Sequence, residues 1–258
     1  MTFKILTDST ADLPESWTQE HDVQVLGLTI QLDGQTYETV GPDKLTSEQL
    51  LAKMESGSKP TTSQINVGQF EDVFRQYAQE GTAVLYVAFA SALSGTYQSA
   101  VMAREMVLED YPEAIITILD SKAASMGEGL LVMKAVEARA AGQSLEQTTD
   151  LLQSLVPRVK TYFLVDDLKH LMRGGRISKA AALMGSLVNI KPIIAVTADG
   201  SLDSVAKVRG KKKAQAEVVR MTLETISEPL VVIAYAGEKE VAENVKEQIL
   251  ASGEVTEV

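Results

Sequence analysis

The chain has no cysteine and only 2 histidines and 7 prolines among its 258 residues. The absence of cysteine excludes disulfides, thiolate metal sites, iron–sulfur clusters and cysteine nucleophiles, and it is typical of an intracellular protein. No apolar run reaches the roughly 20 residues that a membrane-spanning helix needs, and the N-terminus has no signal-peptide pattern. We therefore expect a cytoplasmic protein without a membrane span, which contacts membranes at most transiently.

Positive charge is also scarce. The chain has 24 Lys and Arg against 35 Asp and Glu, which gives a formal net charge of −11 at pH 7. Its average surface repels phosphate backbones and anionic lipid headgroups, so we expect no nucleic-acid partner. Hydrophobic residues make up 45% of the chain, enough for a sizeable core and too many for a disordered protein.

Short β-rich runs alternate with longer segments of helical periodicity, which predicts helices packed on a largely parallel sheet. Asp33-Gly34 and Asp199-Gly200 predict hairpin turns, so antiparallel pairs should occur as well. The turn at residues 157–160 is the best boundary between lobes. We expect an α/β protein with parallel or mixed sheets flanked by helices, divided into an N-terminal lobe (residues 1–158) and a C-terminal lobe (residues 159–258).

Individual elements follow from the same periodicities. The predicted strands cover residues 3–7, 23–30, 83–88, 115–119, 162–165, 192–196, 204–207 and 230–234. The predicted helices begin near Pro14, Ser47, Gly68, Gly95, Gly127, Leu145, Lys179, Lys211 and Glu238. Two polar, proline-bearing stretches, residues 39–44 and 56–63, are the best long loops.

The segment from Ser91 to Tyr97 follows an apolar run and precedes a helical pattern, which predicts a strand–turn–helix junction. Ser94 is a candidate N-cap there, and Gly95 would let a ligand approach the free backbone N–H groups at the positive end of the helix. Such a junction binds anions. A serine that only caps its helix is the alternative.

A second polar segment, with the sequence PTTSQ at residues 60–64, supplies three hydroxyls and an amide outside any periodic pattern. Hydroxyls donate to a carboxylate without bringing charge of their own. By itself the segment is typical of an ordinary polar loop. Together with Ser91 and Ser94, Thr61 and Thr62 form a set of uncharged donors that suits one buried anionic group.

Basic residues concentrate in Arg173-Gly174-Gly175-Arg176 and in the KVRGKKK sequence at residues 207–213. A phosphate or nucleic-acid site is one interpretation, but interleaved aromatics are absent and the overall charge is unfavourable. A docking patch for an acidic partner protein is the second, and a solvated basic helix start is the third. Adjacent glycines make a plain helix at Arg173 less favourable, because each costs about 1 kcal/mol in a helix interior.

The sequence has no recognisable catalytic motif: no Walker loop, G-x-G-x-x-G, G-x-S-x-G or H-E-x-x-H pattern is present. Five aspartates could hold Mg²⁺, although Asp at a strand end is more often a turn former or a helix cap. They are Asp8, Asp12, Asp120, Asp166 and Asp167. We expect no catalytic residues, metal or cofactor; the alternative is a metal-dependent enzyme acting on a small phosphorylated or hydroxylated substrate through Asp8 and Asp120.

Five short motifs, in order along nearly the whole chain, resemble the DegV family. They are DSTADL at residues 8–13, TTSQ at 61–64, SALSGTYQSA at 91–100, DSK at 120–122 and RGGRIS at 173–178. The resemblance implies two α/β lobes with one long-chain fatty acid, such as palmitate or oleate, buried between them. It also implies that hydroxyls matching Thr61, Thr62 and Ser94 hold the carboxylate. Ser91 and Gly95 of the same junction complete the predicted carboxylate-binding set.

The resemblance further implies a partner protein. Members of the family present the fatty acid to a separate fatty acid kinase, which phosphorylates the carboxyl group for phospholipid synthesis. On this basis Arg173, Arg176, Lys207 and Arg209 are candidates for docking the kinase; for Arg173 and the strip from Lys207 to Arg209, contact with the acyl phosphate is the alternative. The protein itself would then be a lipid-binding carrier and not an enzyme.

Two features depart from the family pattern. Members usually have two serines before the L-S-G-T segment, whereas this chain has Ala90-Ser91. Members commonly continue into a glycine-rich tail that places a histidine near the carboxylate, and nothing similar precedes Val258. We therefore expect either a shortened chain or a branch of the family without that histidine.

Overall fold

The computed structural model describes residues 3–165, 168–177 and 189–258. The chain forms two compact units, Met1–Val156 and Pro157–Val258. Among the residues described, no helix is both long enough and apolar enough to cross a membrane.

The first unit contains two sheets and most of the helices. Its strands are β1 (Lys4–Asp8), β2 (Val23–Leu26), β3 (Thr29–Leu32), β4 (Gln35–Glu38), β5 (Thr61–Ser63), β6 (Val84–Ala88) and β7 (Ile116–Asp120). Its helices are α1 (Glu15–Glu20), α2 (Ser47–Glu55), α3 (Val67–Gln79), α4 (Thr96–Asp110), α5 (Met126–Ala140) and α6 (Leu145–Leu155), with a 3₁₀ turn at Ser9–Ala11.

The larger sheet is parallel and has the strand order β2-β1-β6-β7. Every residue of β6 is buried, because β6 is an inner strand and helices cover both faces of such a parallel sheet. Tyr86 of β6 packs in one core with Phe70 and Phe74 of α3. The predicted α/β fold with a parallel sheet flanked by helices is confirmed.

The smaller sheet is antiparallel, with the order β4-β3-β5. The predicted hairpin at Asp33-Gly34 is confirmed: both residues have positive φ angles, 53° and 79°, and Leu32 lies opposite Gln35. The predicted strand 23–30 is wrong as one element, because the chain breaks after β2 and the next strand, β3, joins the smaller sheet. The predicted loop 56–63 ends in β5, a strand exposed along its whole length and hence without the alternation that marks a half-buried strand.

The second unit has the strands β8 (Tyr162–Leu164), β9 (Ile190–Val196) and β10 (Leu202–Arg209), and the helices α7 (Lys169–Gly174), α8 (Lys211–Thr225) and α9 (Lys239–Ala251). Its sheet has the order β10-β9-β8 and is antiparallel. The hairpin predicted at Asp199-Gly200 joins β9 to β10. Antiparallel pairs therefore lie in sheets of their own, separate from the parallel one.

Two predictions in the second unit are corrected. The strand predicted at 230–234 is reduced to one bridge, between Leu230 and Glu257. The adjacent glycines were expected to disfavour a helix at Arg173, but Arg173 lies in the last turn of α7; Gly175, with φ 70°, adopts the left-handed conformation that ends the helix. The adjacent glycines therefore terminate a helix here. The helix predicted near Lys179 lies outside the described residues.

Candidate functional site

The loop that follows β6, residues 89–95, leaves the carboxyl end of the parallel sheet. From β1 the chain moves outward to β2 on one side, and from β6 it moves outward to β7 on the other. The winding therefore reverses between β1 and β6, and open α/β sheets bind ligands at such a reversal. This loop contains Ser91, Ser94 and Gly95.

Asp8 and Asp120, the last residues of β1 and β7, hold the loop from its two sides. Asp8 Oδ2 accepts hydrogen bonds from the Tyr86 hydroxyl (2.7 Å) and the Phe89 N–H (3.1 Å). Asp120 accepts from the Ser91 N–H at Oδ1 (3.1 Å) and from the Ser91 hydroxyl at Oδ2 (2.6 Å). The two strand-end aspartates therefore anchor the loop.

These contacts disfavour the alternative of a metal ion bound by Asp8 and Asp120. Asp8 Oδ1 also accepts from the N–H and the hydroxyl of Thr10 (3.1 and 2.5 Å), and Asp120 Oδ1 from the Lys122 N–H (3.1 Å). All four carboxylate oxygens thus face N–H or O–H donors, whereas Mg²⁺ and Ca²⁺ need oxygen ligands. Within residues 3–165, 168–177 and 189–258, no group of three or more His, Asp or Glu side chains could hold a metal ion.

Ser94 lies at the start of α4, one residue before the N-cap position, which Gly95 occupies. Its Oγ accepts the Thr96 N–H at 3.2 Å and lies 2.9 Å from Thr96 Oγ1. Ser94 therefore satisfies a first-turn N–H, and either its hydroxyl or that of Thr96 donates in the contact between the two side chains. Ser91 differs, because its hydroxyl donates to Asp120; its role as a carboxylate donor stays a prediction.

Thr61 and Thr62 belong to β5, where they pair with Gln31 and Ile30 of β3. Both side chains are exposed. In the part of the chain that the structure describes, neither hydroxyl takes part in a hydrogen bond. Both hydroxyls can therefore donate to a ligand without breaking an existing bond.

The side chain of Gln64 connects the two hydroxyl-bearing segments. Its Nε2 donates to Oγ of Ser99 in α4 at 2.9 Å. The carboxamide lies so close to Gly95 that a Cβ there would be 2.2 Å from Gln64 Oε1. A side chain at position 95 would therefore have to displace the Gln64 carboxamide, whereas the sequence had suggested the approach of a ligand. Neither Gln64 nor Ser99 was predicted as a site residue, although the TTSQ motif includes Gln64.

Glu128, in the first turn of α5, is a buried carboxyl that the sequence analysis did not single out. It is fully buried, and the hydroxyls of Thr7 and Thr10 each lie 2.9 Å from its oxygens. Burial raises the pKa of Glu128 well above its usual range, and the negative charge of Asp8 raises it further. The adjacent Gly129 is the one feature of the sequence that could have indicated close packing at this position. A Cβ on Gly129 would lie 2.6 Å from the Ala11 carbonyl oxygen.

The predicted docking residues all lie in the second unit. Arg173 and Arg176 are exposed at the end of α7 and just beyond it. Lys207 and Arg209 are exposed on β10 and are two residues apart, so they share one face of that strand. The structure thus places these four residues on two separate elements.

Comparisons with known proteins agree with the motifs. A family model described as uncharacterised protein, DegV family, matches residues 2–258. A DegV domain-containing protein of Streptococcus pyogenes serotype M1 is 51% identical over 258 residues, which cover 100% of this chain and 90% of the relative.

Two solved structures extend the agreement to the fold. A DegV family protein from Thermus thermophilus, described for its fatty acid binding, is similar with a TM-score of 0.86 and 32% identity, over 99% of this chain and 90% of the other. A stearic acid-binding protein from Eubacterium ventriosum has a TM-score of 0.84 and 29% identity, over 96% of this chain and 87% of the other.

We expect Gly95→Ala to lower the free energy of unfolding by about 1 to 3 kcal/mol, the usual cost of overpacking, because the added methyl displaces the Gln64 carboxamide. Gly95 has φ −71° and ψ −1°, which alanine adopts without strain. In a Gln64→Ala background the same substitution should therefore cost much less. Urea denaturation of the four proteins gives the coupling energy, and an equal cost in both backgrounds would contradict this close approach.

Proposed function

The chain belongs to the DegV family, and from this premise we propose that it binds one long-chain fatty acid, such as palmitate or oleate. The observation that carries the proposal is the similarity to the Thermus thermophilus protein, a DegV family member described for its fatty acid binding, along almost the whole chain. The similarity to the stearic acid-binding protein of Eubacterium ventriosum supports the same ligand class.

We assign the carboxylate to the first unit, at Thr61, Thr62 and Ser94, with Ser91 and Gly95 beside them. The hydroxyls of the two threonines, which form no hydrogen bond in the described part of the chain, support this assignment, as does the position of the Ser94 hydroxyl beside the Thr96 N–H at the start of α4. So does the Gln64 carboxamide, which holds the two segments together. A buried carboxylate costs several kcal/mol unless donors satisfy it, and neutral hydroxyls and N–H groups are sufficient donors.

Most of the binding free energy would come from the acyl chain. Burying about 15 methylenes at roughly 0.8 kcal/mol each gives an upper limit near 12 kcal/mol before the costs of association. The headgroup site therefore needs to position and satisfy the carboxylate, without adding an opposite charge. An uncharged set of donors fits this requirement.

The protein would act as a carrier without chemistry of its own. Asp8 and Asp120, the residues of the enzyme alternative, are engaged in holding the loop after β6. We further propose that the carrier presents the fatty acid to a fatty acid kinase through Arg173, Arg176, Lys207 and Arg209. Exposed positive charge on a chain with a net charge of −11 supports docking of an acidic partner surface.

Purified protein is expected to carry about one fatty acid per chain. Removing the lipid should lower the melting temperature, because a ligand that binds only the folded state stabilises it by mass action. Denaturing mass spectrometry of an organic extract identifies the lipid, and calorimetry with added palmitate or oleate measures the recovery. No acyl lipid in the extract and an unchanged melting curve would refute the carrier function.

Ser94→Ala and Thr62→Val should each weaken palmitate binding by about 1 to 3 kcal/mol, the usual cost of removing a donor from a buried charged acceptor. Hexadecanol, which has the same chain but no carboxylate, should be much less sensitive to both substitutions. Isothermal titration calorimetry of both ligands makes the comparison. Equal losses for acid and alcohol would show that the hydroxyls shape the site and do not bind the carboxylate.

Arg173→Glu is expected to leave palmitate binding within about twofold but to slow transfer of the acid to the kinase, since exposed charge acts mainly on the rate of association. Added salt should narrow the difference from the unmodified protein, because it screens exposed charges. Lys239→Glu makes the same charge change at an exposed position outside the basic segments and serves as the control. Loss of palmitate binding in a folded Arg173→Glu protein would place the arginine in the ligand site.

A further inference from the structure

A chain of four short oxygen–oxygen contacts lies under the loop after β6. Thr7 Oγ1 is 3.0 Å from the Val87 carbonyl oxygen and 2.9 Å from Glu128 Oε1. Thr10 Oγ1 is 2.9 Å from Glu128 Oε2 and 2.5 Å from Asp8 Oδ1. All four distances are in the range of hydrogen bonds, so each contact calls for a hydrogen between its two oxygens.

The hydrogens available can be counted. Each threonine hydroxyl supplies one hydrogen, whereas a carbonyl oxygen and an ionised carboxylate supply none. With both carboxyl groups ionised, two of the four contacts would bring lone pairs together in a buried environment. One additional proton on a carboxyl group reduces the unsatisfied contacts to one.

The surroundings of the two carboxyl groups differ. Asp8 accepts from the Tyr86 hydroxyl and from the N–H groups of Phe89 and Thr10, and such donors favour an ionised carboxylate. Within the described part of the chain, the Glu128 carboxyl group hydrogen-bonds only to the two hydroxyls, and it is fully buried. The additional proton therefore belongs on Glu128.

We propose that Asp8 and Glu128 share one proton through the hydroxyl of Thr10, and that this proton resides on Glu128 at neutral pH. Glu128 then donates to Thr10, and the Thr10 hydroxyl donates to Asp8. Asp8 in turn remains ionised and holds the Phe89 N–H at the start of the loop. Glu128 is thus a positioning residue for the loop that carries Ser91, Ser94 and Gly95.

Among the described residues, neither Asp8 nor Glu128 forms an ion pair with a basic side chain. Of the elements packed on α5, β1 contributes Asp8 and β6 contributes Tyr86, whose pKa burial raises well above its usual range. Asp12, which follows the 3₁₀ turn, is exposed and accepts from Ser125. The charged side chains of α6, Glu146 and Asp150, are exposed. Lys4, at the opposite end of β1, pairs with Asp22.

Loss of the proton would leave two ionised carboxylates, one on each side of the Thr10 hydroxyl. Since Thr10 cannot donate to both carboxylates, one contact would break and the segment that joins β1 to the 3₁₀ turn would loosen. The Asp8 bond to Phe89 would weaken with it. The consequence for the ligand rests on the proposed function; the shared proton itself does not.

The first test is the pH dependence of stability for the unmodified protein and for Glu128→Gln, which carries amide hydrogens at every pH. A carboxyl group whose pKa is raised on folding stabilises fully below its unfolded pKa, and this stabilisation is lost as the pH rises toward its folded pKa. Above about pH 5 the unfolding constant of the unmodified protein should therefore rise relative to the variant, by about tenfold per pH unit.

Glu137→Gln provides the matched control, since Glu137 is an exposed glutamate of the same helix and should produce no such slope. A ratio of unfolding constants between Glu128→Gln and the unmodified protein that stays constant with pH would overturn the proposal.

A second measurement needs no variant. With glutamate labelled at the side-chain carboxyl carbon, one resonance of the unmodified protein should retain the chemical shift of a protonated acid at pH 7. If every glutamate shows the shift of an ionised carboxylate at pH 7, the shared proton does not exist.

Palmitate titrations from pH 6 to pH 9 connect the pair to the ligand. The dissociation constant of the unmodified protein should rise with pH relative to that of Glu128→Gln, and parallel curves would overturn the positioning role. A protonated glutamate in a protein that binds no palmitate would refute the proposed function and leave the shared proton standing. Palmitate binding without a protonated glutamate would support the proposed function and refute the shared proton.

Discussion

The carboxylate of Asp8 is the interaction on which the arrangement of the first unit depends. It ends β1 and accepts from the hydroxyls of Tyr86 and Thr10 and from the N–H groups of Phe89 and Thr10. One side chain therefore joins the two strands at which the winding of the sheet reverses, and it fixes where the next loop begins. Asp120 repeats this role from the other side through Ser91. Both aspartates act as fixed acceptors, and their buried or half-buried positions make those hydrogen bonds strong.

Much of the fold was predictable because its signals are local. The parallel strands β1, β6 and β7 are short segments rich in aliphatic and β-branched residues, and the hairpin at Asp33-Gly34 uses residues that tolerate positive φ. The errors arose where pairing partners decide the structure. The strand β5 has two polar faces and exists because β3 lies beside it. Residues 230–234 are apolar, but the one β-bridge of this segment in the described part of the chain joins Leu230 to Glu257. Gly174 and Gly175 were misread because glycines that end a helix look the same in the sequence as glycines that prevent one.

The candidate site was likewise predicted only in part from the sequence. Runs of hydroxyl residues are visible in the sequence, and Thr61, Thr62, Ser91 and Ser94 were predicted from them as carboxylate donors, a role that stays a prediction. The side chains that arrange them could not be predicted, because their contacts span long stretches of sequence: Gln64 bonds to Ser99, and Glu128 bonds to Thr7 and Thr10. A glutamate at the first turn of a helix is ordinary in a sequence. Its burial against β1 depends on Gly129, whose lack of a side chain permits contact with Ala11.

The anchoring of the loop after β6 has a thermodynamic consequence. Its bonds to Asp8 and Asp120 are all within the chain, so the loop does not need a ligand to take its shape. Fixing a residue's backbone costs about 1 to 2 kcal/mol in conformational entropy. Here that entropy is lost when the protein folds, so a ligand bound at the proposed site would find the backbone around Ser94 and Gly95 already ordered. Occupied and empty forms should therefore have nearly superimposable backbones in this loop.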